Sequence, residues 1–143
     1  MEPAVKRAFA QSIPNLSEES VLLRGWVQRL RVLGKTTFVI LKDCSGHVQC
    51  VAPSELLRDL RLKCEDTVEI CGRVRMDSRA PTGSEVEIVS ARVLSRAGQN
   101  LPFTSSSDIQ SVALESLVQY RPLALRNQLL MRRLCSAVFA IRS

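Results

Sequence analysis

Between residues 21 and 94 the chain alternates apolar and polar residues in five separate stretches, interrupted once by a leucine-bearing segment. This two-residue period narrows the fold more than any other feature, because it marks strands buried on one face. Residues 21–29 and 36–43 read as the first two strands, joined by a loop that carries Arg31, Gly34 and Lys35. Cys44, Ser45 and Gly46 supply a tight turn into a third strand over residues 48–52. Ser54 is then placed to cap a short helix whose Leu56, Leu57 and Leu60 share one side and are expected to plug the core. A fourth strand covers residues 67–76, a polar loop follows with Pro81, Thr82 and Gly83, and a fifth strand covers residues 85–94.

Three strands, a helix and two strands is the order of a five-stranded OB-fold Greek-key barrel, so the chain is expected to be mainly β. Residues 1–20, with Pro3 and Pro14, read as an N-terminal extension before a barrel domain at 21–98. Residues 99–119, with Pro102 and the run Ser105, Ser106, Ser107, read as a linker. Residues 120–143 end in an amphipathic helix, with Leu130, Leu134, Ala137, Val138 and Ile141 at steps of three and four. A single apolar stripe with nothing after it to bury it implies further chain or a partner.

Charge points to a polyanionic partner. The 20 Lys and Arg outweigh 14 Asp and Glu to give +6. Residues 21–98 carry thirteen basic and nine acidic residues, and residues 120–143 carry five Arg and no acid. Five Cys, with no signal peptide or membrane-spanning run, read as reduced thiols of a cytoplasmic protein. Lys6 and Arg7 near Phe9 suggest a transit peptide, but Glu2, Glu18 and Glu19 favour a plain extension. Cys44, His47 and Cys50 lack the paired knuckles of a zinc site, so no metal is expected. No acid/base pair, nucleophile set or phosphate-cradling glycine loop is present, so no catalytic residue is assigned.

Alternation nominates the binding residues. In the second strand Val39 and Leu41 share one face and Phe38, Ile40 and Lys42 the other. If Val39 and Leu41 point inward, Phe38 displays a ring on which an unpaired base can stack; otherwise Phe38 and Ile40 sit under a covering segment. The third strand leaves Gln49 outward, with an amide suited to a base edge or merely to solvent. In the fifth strand Val86 and Ile88 go inward while Glu85 and Glu87 go outward. There they either accept from a guanine or simply keep the strand soluble. Arg29, Arg31, Lys35, Lys42, Arg73, Arg75 and Arg79 are the candidates for phosphate contacts along a groove.

The ordered set Gly25-Trp26, Arg31, Leu33-Gly34, Phe38, Asp43, Gly46 and Gln49 resembles the opening of the anticodon-binding domain in aspartyl-tRNA synthetases, of class IIb. Asparaginyl and lysyl enzymes share much of it. The likeness continues through Thr82, Gly83 and Glu87, through Leu101-Pro102-Phe103, and into Tyr120-Arg121-Pro122-Leu123-Ala124-Leu125-Arg126, which is similar to the junction before the family's catalytic domain. Pro122 and Ala124 depart from the residues usual in bacterial aspartyl enzymes.

The resemblance implies that Phe38 stacks on the central uridine of the anticodon, that Gln49 hydrogen-bonds it, that Glu87 reads the first base, and that Arg31 contacts the loop. The partner implied is a tRNA of aspartate or asparagine type. The parent enzyme uses ATP and Mg and dimerises through the helix of Leu130, Leu134 and Val138. This chain lacks the motifs that hold ATP, so it is expected to recognise tRNA without charging it and to need no cofactor. Two readings compete: a stand-alone OB module for other single strands, and an oligomerisation piece built on the C-terminal stripe.

Overall fold

A computed structural model describes residues 5–142, so residues 1–4 of the extension and Ser143 lie outside the described residues. The chain divides into two compact units, residues 1–97 and residues 98–143.

The first unit is an OB-fold barrel built on a six-stranded sheet. Its strands are β1 (Lys6–Arg7), β2 (Ser20–Leu33), β3 (Thr36–Lys42), β4 (His47–Pro53), β5 (Thr67–Met76) and β6 (Ser84–Ser95). The sheet order is β1-β2-β3-β4-β6-β5, and a further β2–β5 pairing joins its ends. The expected count of five is exceeded by β1, a two-residue strand parallel to β2 that is too short to show a period.

Strand β2 makes closure possible. Its first half pairs with β5 from Ser20 to Trp26, and its second half pairs with β3 from Trp26 to Leu33. The strand therefore bends from one neighbour to the other, helped by a register shift between Val27 and Arg29. Gly25 sits at the bend, where a Cβ would lie 2.3 Å from the Lys42 carbonyl oxygen, so only glycine fits.

Arg31 belongs to β2 and not to a loop. The strand runs on to Leu33, and Gly34 and Lys35 alone make the hairpin turn, with Gly34 at φ 61°.

The inward faces follow the alternation, and of the two faces it leaves open for β3 the one that turns inward is that of Val39 and Leu41. Val21, Leu23, Val27, Val39, Leu41, Val48, Cys50, Val68, Ile70, Val74, Val86 and Ile88 form one buried core. Each fully buried aliphatic side chain contributes about 1.5–3 kcal/mol. Two other segments join this core. Ile13, fully buried, comes from a 3-10 helix at Ala10–Asn15 within the stretch that reads as an extension. Leu57 comes from α1 (Ser54–Arg58), with Leu60 packed beside it, whereas Leu56 is exposed.

Ser54 does not cap α1. Pro53 holds the cap position, and the Ser54 hydroxyl instead meets that of Thr37 at 2.9 Å.

Asp43 fixes the turn between β3 and β4. One carboxylate oxygen accepts from the backbone N–H groups of Ser45 at 2.7 Å and Gly46 at 3.1 Å, and the other accepts from Ala10 N–H at 2.8 Å. A single buried carboxylate thus shapes the turn and anchors the N-terminal helix.

The second unit is helical, with α2 (Leu114–Gln119), α3 (Arg121–Ala124) and α4 (Gln128–Arg142). Phe103, Leu123 and Ala124 form its small core, and Phe103 meets Tyr120 edge to face at 6.5 Å. Asn127 starts α4: its side-chain Oδ1 accepts from the N–H groups of Leu129 and Leu130, and its side-chain Nδ2 donates to the backbone carbonyls of Ser105 and Ser107. No described residue of α4 is buried, and Leu134, Val138 and Ile141 stand open along it. Among the described residues no helix is long and apolar enough to cross a membrane.

Candidate nucleic-acid interface

A groove of about 590 Å³ opens on the outer face of β2, β3 and β4, bordered by the loop before β6. Its floor follows from strand register. Arg31, Phe38 and Val51 lie side by side on β2, β3 and β4, and Arg29, Ile40 and Gln49 form the next row. Every second residue faces the same way, so the two rows present an apolar strip of Phe38, Ile40 and Val51 with arginines along one edge. The Phe38 ring is half-buried, flanked but not covered, while Val39 behind it is sealed in the core.

The far edge of the groove comes from a different kind of pairing. Strands β4 and β6 run parallel, with Cys50 beside Val86. One step earlier, the Gln49 Nε2 donates to a Glu85 carboxylate oxygen at 3.0 Å. Glu85 lines the groove and is 8% exposed.

Glu87 does not line the groove. It is half-exposed and paired with Arg75 at 3.1 Å. The outer-face carboxylate beside Gln49 is therefore Glu85, although alternation alone treats the two acids alike. Both acids flank the β4 junction, Glu87 in register with Val51, but Glu85 meets the Gln49 amide of β4 and Glu87 turns to Arg75 of β5, and nothing in the local period of β6 reveals those partners.

The basic candidates separate in the same way. Arg29, Arg31 and Arg79 line the groove. Among the described residues Arg29 and Arg31 make no ion pair, which leaves both guanidinium groups available to an anion. Arg79 grips Asp77 through two contacts, at 2.9 and 3.1 Å, and its hydrogen bonds hold the Asp77 carboxyl below the usual carboxylate range. Lys35 projects from the hairpin turn, and Arg73 and Arg75 stand on β5, all outside the groove lining. Lys42 is buried at the end of β3, at 7% exposure, which removes it from any phosphate-binding set.

Behind Gln49, the Cys50 thiol faces the core. Burial, and secondarily the charge of Glu85, push its pKa up to about 12, so it is a packing group. Among the described residues no group of three or more His, Cys, Asp or Glu could hold a metal ion.

The arrangement offers a ring for stacking, an amide and a carboxylate for a base edge, and two unpaired arginines for phosphates. That combination suits an unstacked single strand.

Residues 21–94 match the family described as OB-fold nucleic acid binding domain, the tRNA anticodon-binding family. An aspartate–tRNA(Asp/Asn) ligase of Methanococcus maripaludis is 36% identical over 137 residues, covering 92% of this chain and 30% of its own length. An asparagine–tRNA ligase of Thermococcus gammatolerans is 37% identical over 119 residues, covering 80% of this chain and 26% of its own length. Among solved structures, the asparaginyl-tRNA synthetase of Pyrococcus horikoshii superposes with a TM-score of 0.74 at 28% identity, covering 85% of this chain and 29% of that one. The chain thus spans about 30% of the length of the curated relatives it matches.

Proposed function

The chain belongs to the OB-fold family of tRNA anticodon-binding domains, and on that premise we propose that its groove takes the anticodon loop of a tRNA with a central uridine, of aspartate or asparagine type. The observation that carries this reading is the row geometry: Phe38 and Gln49 share one face of β3 and β4, beside Arg29 and Arg31. Electrostatic capture of the loop comes first, with Arg29, Arg31 and Arg79 meeting phosphates and affinity falling as salt rises. The central base then stacks on Phe38 and hydrogen-bonds Gln49. A guanine at the first position finds an acceptor for its N–H groups in Glu85, which takes over the part that the resemblance assigns to Glu87.

By the same likeness, a longer protein of this kind joins aspartate to tRNA at the cost of ATP, with Mg, in the cytoplasm. The open stripe on α4, with Leu134 and Val138, supports a dimer contact in that setting, while Leu130 packs partly against the core of Phe103, Leu123 and Ala124. Burying such a face stabilises an interface by roughly 25 cal/mol for each Å² of apolar surface covered.

The test is equilibrium binding of tRNA transcripts that differ only in the central anticodon base. Uridine is expected to bind best, and Phe38→Ala and Gln49→Ala are expected to erase that preference. Equal binding of all four bases by the wild-type chain would sink the proposal. Poly-pyrimidine DNA that competes as well as tRNA would favour a general single-strand module.

A further inference from the structure

We infer that Glu85 is a positioning residue, which locks the Gln49 amide in one of its two orientations and so lets the site tell uracil from cytosine. This rests on the anticodon reading above.

A side-chain amide carries an acceptor and a donor on one flat group, and a half-turn exchanges them. The two pyrimidines make opposite demands on it. Along the pairing edge uracil presents the acceptor O4 and then the donor N3–H, whereas cytosine presents the donor N4–H2 and then the acceptor N3. An amide free to turn satisfies either base. An amide held one way satisfies only one of them.

A carboxylate can only accept, so Glu85 at 3.0 Å requires the NH2 end of Gln49 to face it. The reversed amide would set a carbonyl oxygen against the carboxylate, two acceptors with no proton between them. Glu85 is 8% exposed and cannot escape that clash into water. Gln49 lies opposite Ile40, one row from Phe38. The ring therefore fixes where the base lies, and the carboxylate fixes which edge it must show.

Glu85→Gln keeps the shape and removes the constraint, because the new amide can either accept from Gln49 or donate to it. The full chain is titrated with two tRNA transcripts that differ only in U or C at the central anticodon position. The readout is the ratio of the two affinities. Both transcripts share the first base, so any loss of contact there cancels in the ratio.

The wild-type chain is expected to favour U by roughly tenfold or more. Glu85→Gln is expected to bring the ratio close to one, with the C transcript gaining on the U transcript. A merely structural role would weaken both together and leave the ratio intact, and an unchanged ratio in Glu85→Gln overturns the lock. If the wild type shows no preference, the anticodon reading itself has failed. Should Glu85→Gln not fold, Glu85→Ala makes the same comparison, since it also frees the amide, and the same collapse is required.

Discussion

The Gln49 amide donates to Glu85 at 3.0 Å across the parallel junction of β4 and β6, joining residues 36 positions apart into one edge of the groove. A parallel pair among the antiparallel pairings of β2 to β6 brings a donor and an acceptor together where neither strand alone would place them. The ring of Phe38 lies one row away on the same surface.

Removing that ring tests the stacking role. Phe38→Ala is expected to weaken tRNA binding by about 1–3 kcal/mol. Its effect on thermal unfolding should fall well short of the about 3–5 kcal/mol that a core Phe costs, because the ring lines a groove. Phe38→Trp retains a flat face and should retain most of the affinity. Anisotropy titrations and melting curves on the same samples check both halves.

Salt dependence separates the arginines. Each phosphate contact that is lost should lower the slope of log affinity against log salt by about 0.7, the single-strand value. Arg29→Ala and Arg31→Ala are expected to show this change. Arg73→Ala, outside the groove, should leave the slope as it is. Titrations at several salt concentrations give the comparison.

Much of this architecture is legible in the sequence. The period-two pattern puts Val48 and Cys50 into the core and groups Val39 with Leu41 against Phe38 and Ile40, but which of those two faces of β3 is inward is shown only by the burial of Val39 and Leu41. Reading fails where a residue's fate depends on a distant neighbour. Arg31 reads as loop because Gly34 suggests an early turn, yet β3 offers partners all the way to Leu33, and the ladder holds Arg31 opposite Phe38. Glu85 and Glu87 have the same parity, and only their distant partners, the Gln49 amide for one and Arg75 for the other, set them apart. Ile13 sits in a polar, proline-bearing stretch whose burial depends on a barrel end that no local period encodes.

Asp43 should matter to stability more than to binding. Asp43→Ala removes the acceptor for Ala10, Ser45 and Gly46, one buried and two partly buried N–H groups. The expected loss is about 1.5–3 kcal/mol, read as a shift in the urea midpoint. A loss under about 0.5 kcal/mol, the size usual for surface substitutions, would contradict this role.

The thiols should react unequally. Cys44 and Cys135 are exposed and are expected to react promptly with a disulfide reagent at pH 8, whereas Cys50 should react only after unfolding. Its folded pKa is raised from 9.0 to about 12, so the protein favours the neutral thiol. The matching stability is fully present below pH 9.0 and is lost as pH climbs towards about 12. Urea midpoints of the wild type should therefore fall more steeply over that window than those of Cys50→Val.

Photochemical cross-linking shows where the central anticodon base comes to rest. A tRNA of aspartate type carrying 5-iodouridine at the central anticodon position, irradiated in complex with the chain, is expected to join Phe38, as peptide mapping would show. Attachment instead to α4, or to the β5 surface around Arg73, would contradict the account.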